Sequence, residues 1–344
     1  MRRTALGLIT ATLVAIGAPA WACGGLIAPN GAVGLVKTST LSAYHNGIEH
    51  YVTQFEFAGA KGEFGSIVPL PGVPTKVRKG GDWTLDRLAI EVQPPVLEDA
   101  QAEVAFAAAG KAEVLLEKQI GALDVTILRG GGFEVGEWAR ENGFDLPPDA
   151  PGVLDFYGNR SPIFMAAKFD ATEAARRGLQ IGEGTSIHLS IPTDDPWVPL
   201  RILSLGQGDQ AIIEADVFLL TPNRPTLLPG PAGSDTQVRS DGLSLLRDEE
   251  ASESLLADLR SDRGMHWLPA EGMWFSYLQL REEAGDLTYD LAMDVAGGQP
   301  SAIDAGLRGL SVPESRSLWP FAAILGGLGL MVAAFGIRRR TVAV

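Results

Sequence analysis

The chain has 344 residues with 28 basic and 42 acidic side chains, and five of the basic ones sit in two terminal segments that hold no acid. Residues 23–317 therefore carry 23 basic against 42 acidic groups, a balance of −19 that repels nucleic acid and anionic headgroups and argues against nucleic acid as a partner. The single cysteine, Cys23, excludes an intramolecular disulfide, so this body must be held together by a hydrophobic core.

Arg2-Arg3, an apolar run from Ala5 to Gly17, and Ala20-Trp21-Ala22 follow one another in the order of a signal peptide, so residues 1–22 are expected to be removed. The mature chain then begins at Cys23. Lipidation of that thiol is one reading, but a lipoprotein site takes a bulky aliphatic residue three places earlier, and here that place holds Ala20. Ordinary cleavage between Ala22 and Cys23 is the other.

Residues 32–58 predict a hairpin around Asn46-Gly47, with His45 opposite Ile48, Leu41 opposite Val52 and Lys37 opposite Glu56. FGSIVPL, from Phe64, predicts a short strand. Helical pattern follows over 84–92 and 96–109, interrupted by Pro94-Pro95. EVLLEKQI and ALDVTILR predict two strands joined near Gly121, and Glu134 to Glu141 a helix that stops at Asn142-Gly143. Short strands are expected at PIFMAAKF, SIHLSIP, PLRILSL and AIIEADVFLL.

From Ser240 to Arg263 an amphipathic helix is expected, with Leu255, Leu256 and Leu259 on its apolar face. MWFSYLQL and DLTYDLAMDV predict two last strands. In the second, Leu287, Tyr289, Leu291, Met293 and Val295 alternate with a row containing Asp286, Asp290 and Asp294, which is expected to be wet. Irregular alternation of strands with single helices favours an α+β fold of mainly antiparallel sheet.

Leu318 to Ile337 is 20 residues without a charge. At 1.5 Å per residue it is long enough for the ~30 Å hydrocarbon layer of a bilayer. Trp319 suits the interface at its start, and Arg338, Arg339 and Arg340 follow it, which by the positive-inside rule places residues 338–344 in the cytoplasm and the body outside. Val312-Pro313-Glu314 ahead of the span also resembles sorting tails that begin Val-Pro-Glu-Pro, with Ser315 in place of the second proline. Ala322 and Gly326, Ala323 and Gly327, and Gly329 and Ala333 form strips along which a second helix could approach.

The segments GGLIAPNGAVGL, AYHNGIEHYVTQFEF, FGSIVPLPGVP, EVLLEKQIGALDVTILR, EWARENGFDLP and VPLRILSLG resemble, in this order, an exported bacterial family known as domain of unknown function 2330. The resemblance covers most of residues 23–222 and leaves 223–317 as an α+β extension and membrane-proximal linker. It implies a mature chain starting near Cys23-Gly24-Gly25 and a C-terminal membrane span. It supplies no catalytic residue, and the additional cysteines of several relatives are missing here.

His45 and His50 are the leading candidate metal ligands, because the two-residue turn makes them diagonal neighbours on one face, and the competing reading is a pair of surface polar residues beside a turn. Two imidazoles fall short of the three or four protein ligands that zinc takes, so His188 or His266 would have to complete the set. Asp194-Asp195 and the Asp286, Asp290, Asp294 row have no calcium-loop spacing and read as solvated carboxylates. Trp274, Phe275 and Tyr277 read as core rings before they read as a sugar platform. G-x-S-x-G, S-x-x-K, H-E-x-x-H, P-loop and dinucleotide fingerprints do not occur, so no catalytic residue and no cofactor is assigned. The expectation is a membrane-anchored extracytoplasmic protein that meets lipid through its span and binds an envelope protein partner. The rival class is a metal-dependent or other envelope enzyme whose site forms only in the fold.

Overall fold

The computed structural model describes residues 25–27, 38–56, 65–92, 112–170, 173, 176 and 184–307. Cys23, Lys37, the expected helix over 96–109, Trp319, Arg338, Arg339, Arg340 and the whole apolar span lie outside them. The described elements belong to the unit Met1–Arg308, while Gly309–Val344 is a second unit.

The hairpin forms in the expected register. Strands β2 (Thr38–His45) and β3 (Ile48–Glu56) pair His45 with Ile48 and Leu41 with Val52. Asn46 and Gly47 have φ of 52° and 75°, the left-handed geometry a two-residue turn needs and that Asn-Gly tolerates. On the far side of β3 lie β9 (Gly184–Pro192) and then β5 (Lys76–Lys79). On the far side of β2 lie β11 (Ile212–Thr221), β14 (Trp274–Glu283) and β13 (Leu243–Glu250). Only β2 and β11 run parallel in this seven-stranded sheet.

A second sheet of five strands has the order β1 (Gly25–Ile27), β4 (Gly65–Pro69), β8 (Ile163–Phe169), β7 (Leu123–Arg129) and β6 (Glu113–Ile120), antiparallel throughout. A small third sheet joins β10 (Trp197–Val198), β15 (Leu291–Asp294) and β12 (Thr226–Leu228). Four α-helices are described: α1 (Thr84–Val92), α2 (Gly132–Glu141), α3 (Ala150–Gly158) and α4 (Glu253–Ser261). The fold is therefore α+β with mainly antiparallel sheets.

Period-two alternation gives the seven-stranded sheet two apolar faces. Leu41, Ala43, Val52, Phe218, Leu220, Phe275 and Tyr277 pack under Leu85 and Leu88 of α1 and Leu255, Leu256 and Leu259 of α4. Tyr51, Leu189, Val217 and Leu278 belong instead to the core shared with the five-stranded sheet, α2 and α3. At about 25 cal/mol per Å² of apolar area removed from water, these two clusters are the main stabilising term.

Three sequence expectations change. The stretch from Ser240 is not one helix: Leu243–Glu250 is an edge strand on β14, and α4 starts only after Ser252, whose side chain accepts a 3.1 Å hydrogen bond from the Leu255 amide. Leucines at 243, 245 and 246 fit both periods, and pairing with β14 decides between them. PLRILSL is not a strand either. Pro199 removes a ladder donor, and Arg201–Ser204 closes as a 3-10 turn.

The third change is Asp290. Leu287, Tyr289, Leu291, Met293 and Val295 are buried as expected, but Asp290 is fully buried as well. Its Oδ1 accepts from Tyr157 Oη at 2.8 Å and from the Leu200 and Arg201 amides at 2.6 and 2.9 Å. Its Oδ2 pairs with the Arg160 guanidinium, which lies 4.2 Å from the centroid of the Trp197 ring. Tyr157 Oη in turn accepts from the Ile202 amide at 2.8 Å. One carboxylate thus ties α3, the 3-10 turn and the approach to β15.

Asp290→Ala leaves Arg160 charged, buried and unpaired, so it is expected to cost about 3–5 kcal/mol. Urea denaturation of the full chain in detergent, followed by tryptophan fluorescence, measures this. Tyr157→Phe removes hydrogen bonds without stranding the ion pair and is expected to cost about 1–3 kcal/mol.

Candidate functional site

Three strands bring one polar cluster together. His50 on β3 lies opposite Ser190 of β9, His188 on β9 lies opposite Val52 of β3, and Arg78 on β5 lies opposite His188. Paired residues share a face, so all three side chains emerge on the side covered by α1 and α4. His50 and His188 are diagonal neighbours, and His50 Nδ1 stands 2.8 Å from His188 Nε2. Arg78 Nε donates to His188 Nδ1 at 3.3 Å.

These contacts fix the protons. Arginine has no acceptor, so His188 Nδ1 must accept and its proton sits on Nε2. That proton is donated to His50 Nδ1, which leaves the His50 proton on Nε2. The indole of Trp267 stacks on the His50 ring at 3.6 Å with a 3° tilt. Its Nε1 is buried without a hydrogen-bond partner.

Burial is the largest cause holding both imidazoles neutral. The positive charges of Arg78 and Lys76 add to it, lowering His50 to about 4 and His188 further still. The opposite face of β3 carries Glu49, fully buried, with Ser42 Oγ donating to Oε1 at 2.6 Å. Burial raises its carboxyl to about 8, against the opposing pull of the Ser42 hydroxyl and the Trp197 amide. Among the described residues no cation meets Glu49 in the way Arg160 meets Asp290.

The loop that carries Trp267 is itself tethered. Asp262 Oδ1 accepts from the Asp82 amide at 2.9 Å, and Oδ2 from the Trp83 amide at 2.9 Å and Thr84 Oγ1 at 2.7 Å, which satisfies the N-terminus of α1. Gly81 is needed there, because a Cβ would meet Asp262 Oδ2 at 2.3 Å.

The structure brings His50 to His188 and leaves the other two histidines apart. His45 shares the face of His50, but it is half-buried at the hairpin end, where Asn46 Nδ2 donates to its Nε2 at 2.8 Å. His266 Nδ1 donates to the Arg260 carbonyl at 2.7 Å. Among the described residues no three His, Cys, Asp or Glu side chains are placed to hold a metal ion. The lone pair that points into the gap between the rings, on His50 Nδ1, already accepts the His188 proton, so the two imidazoles do not converge on a metal there.

Asp194 and Asp195 lie exposed in a turn, and Phe275 and Tyr277 are core rings of the sheet. Trp274 turns to the other face and donates from Nε1 to Asp248 at 2.6 Å. Arg78 and Trp267 carried no signal in the sequence, since neither sits in a motif and both reach the histidines through long-range pairing.

Residues 17–225 match the family described as uncharacterized protein conserved in bacteria (DUF2330). The chain belongs to this family. The match to DUF2330 ends just after β11, so His50, His188 and Arg78 lie inside it while Trp267 lies beyond it. A comparison with curated proteins gives no match.

Solved structures give distant likenesses. A mutated baculovirus P35 after caspase cleavage aligns at 7% identity over 75% of this chain and 99% of that one, with a TM-score of 0.39. The caspase-8/P35 complex aligns at 8% identity over 75% and 95%, with a TM-score of 0.37. At such identities and scores neither resemblance carries function across.

A neutral buried pair leaves a pH signature. In the unfolded chain both imidazoles titrate near the ordinary 6.5, and in the folded chain lower. Their contribution to stability is therefore complete above about pH 6.5 and declines as pH falls through 4. Urea midpoints of the full chain are expected to show this decline, and the double variant His50→Phe/His188→Leu to show a shallower one. Equal slopes for the two proteins would contradict the neutral assignment.

Proposed function

We propose that this DUF2330 protein is a membrane-tethered, extracytoplasmic binding protein of the bacterial envelope. The observation that carries the reading is the pair of terminal segments, a leader in signal-peptide order before Cys23 and a charge-free Leu318–Ile337 followed by three arginines. The strongly acidic 23–317 body suits a solvated domain held off an anionic surface. Among the described residues no helix is long and apolar enough to cross a membrane, so the tether is assigned to Leu318–Ile337 alone.

The polar centres of the described body favour binding over catalysis. His50, His188 and Arg78 bond to one another beneath Trp267, and Asp290 is enclosed by Arg160 and Tyr157. His50, His188 and Asp290 are buried and their hydrogen bonds are made within the protein, which supports a scaffold role. Binding partners would then meet the surface, with lipid met through the span.

A reporter fused after Val344 tests the orientation, and it is expected to be active only in the cytoplasm. Activity outside the membrane would reverse the topology. The span already provides a stable anchor, so a lipid on Cys23 is not required. Mass spectrometry of the mature N-terminal peptide is expected to give an unmodified Cys23, and a diacylglyceryl mass would show the lipoprotein route instead.

A further inference from the structure

The seven-stranded sheet ends at β5, and this edge carries donors that the histidine cluster leaves over. Cross-strand pairing puts His50, Ser190 and Lys76 in one row on β3, β9 and β5, with His188 and Arg78 in the next row on the same face. At the usual strand spacing His50 and Lys76 stand about 10 Å apart, on either side of Ser190. Serine has the shortest side chain of this group, so the face dips there between longer neighbours.

The bonds already made define what remains. Arg78 commits Nε to His188 Nδ1, and His188 commits its proton to His50 Nδ1. Among the described residues the His50 Nε2 proton, the Ser190 hydroxyl and both η nitrogens of Arg78 take part in no hydrogen bond, and neither Arg78 nor Lys76 forms an ion pair. Arg78 is half-buried and Lys76 exposed, so both cations reach solvent, while His50 and Ser190 keep 7% and 3% exposure.

These groups act with one sign. The guanidinium, the ammonium and His50 Nε2 donate only, and the serine hydroxyl can donate with them. Nearby carboxylates are engaged elsewhere, Asp82 by Lys79 and Arg263, and Asp262 by the start of α1. The indole that covers His50 brings a further donor, Nε1, and no acceptor. A half-buried guanidinium is costly to leave without an anion, and among the described residues none is placed to meet it.

We infer that this edge binds a phosphate group, free or as a monoester, seated over Ser190 with its oxygens accepting from Arg78, Lys76 and His50. The guanidinium fork suits two oxygens of a tetrahedral anion and leaves the others to the ammonium and the imidazole. The balance of −19 on residues 23–317 works against a long polyanion, whereas a single phosphate sits within the screening length of about 8 Å from these donors. The site goes beyond the tethered-binding reading and depends on neither terminal segment, so a failed binding test and a failed topology test are separate results.

Calorimetric titration of the full chain in a neutral detergent at fixed ionic strength tests it, at about pH 8, where a phosphate monoester is a dianion. The probes are inorganic phosphate and glycerol 3-phosphate, with nitrate as a planar monoanion. At least one phosphate probe is expected to bind saturably, with a Kd of about 10 µM to 10 mM. Tighter binding of glycerol 3-phosphate would support the site as one for an ester, and equal or tighter binding of inorganic phosphate would support it as one for the free ion. Arg78→Gln is expected to weaken binding about tenfold and Lys76→Gln about threefold. Lys79→Gln removes the same charge from the opposite face of the same strand and is expected to change binding little. If Arg78→Gln loses its circular dichroism spectrum, the two lysine variants decide the matter. No saturable heat from either phosphate probe at tens of millimolar, nitrate bound as tightly as phosphate, or equal losses from Lys76→Gln and Lys79→Gln would each overturn the inference.

Discussion

The two-residue turn at Asn46-Gly47 decides which side chains of the seven-stranded sheet face which core. With φ of 52° and 75° it admits one register, His45 on Ile48, and a slip of one residue would exchange the faces of β3. Glu49 would then be driven among the leucines of α1 and α4, and His50 would be driven into the core shared with the five-stranded sheet. Because β9 is paired to β3 and β5 to β9, the same register places His188 and Arg78. A local choice of two residues thereby positions a cluster drawn from three strands.

The buried ionisable groups adopt different solutions, and the number of partners separates them. Asp290 is met by a guanidinium, a phenol and two amides, a set that can compensate a buried negative charge. Glu49 has the Ser42 hydroxyl and the weaker pull of the Trp197 amide, and burial makes it hold its proton up to about 8. His50 and His188 also stay uncharged, but there a chain of donors beginning at Arg78 fixes each proton. The compensation is incomplete at two of the three places, since Glu49 Oε2 and Arg160 Nε and Nη1 are buried without a hydrogen-bond partner.

Local pattern made much of the fold readable. The hairpin, the helix at Thr84–Val92, the paired strands meeting near Gly121 and the leucine face of α4 follow from turn chemistry and periodicity within a few residues. What escaped depends on distant partners. Asp290 alternates as a solvent residue should, and only Arg160 and Tyr157, some 130 positions earlier in the chain, make burial tolerable. The leucines of β13 read as helix because nothing in their own stretch announces β14 as a neighbour. For the site, the sequence reached His50 and named His188 as one completion, but it paired His50 with His45 because the hairpin is visible locally and β9 is not.

The boundary of the DUF2330 match cuts across the seven-stranded sheet. It ends at residue 225, after β11, yet in this chain β11 pairs along its whole length, Ile212 to Thr221, with β14 from beyond that boundary. Without β14 that strand would present an unpaired edge, and Leu41, Phe218 and Leu220 would lose the rings and leucines of β14 and α4 that cover them. The cover over His50 comes from the same stretch, through Trp267, whose loop is pinned back to α1 by Asp262. Residues 243–294 therefore supply two of the seven strands and the α4 cover, an integral part of the sheet rather than an appendage. The neutrality of the histidine pair, inside the family segment, depends on an indole outside it, because uncovering His50 would return it to water and remove the burial that depresses its pKa.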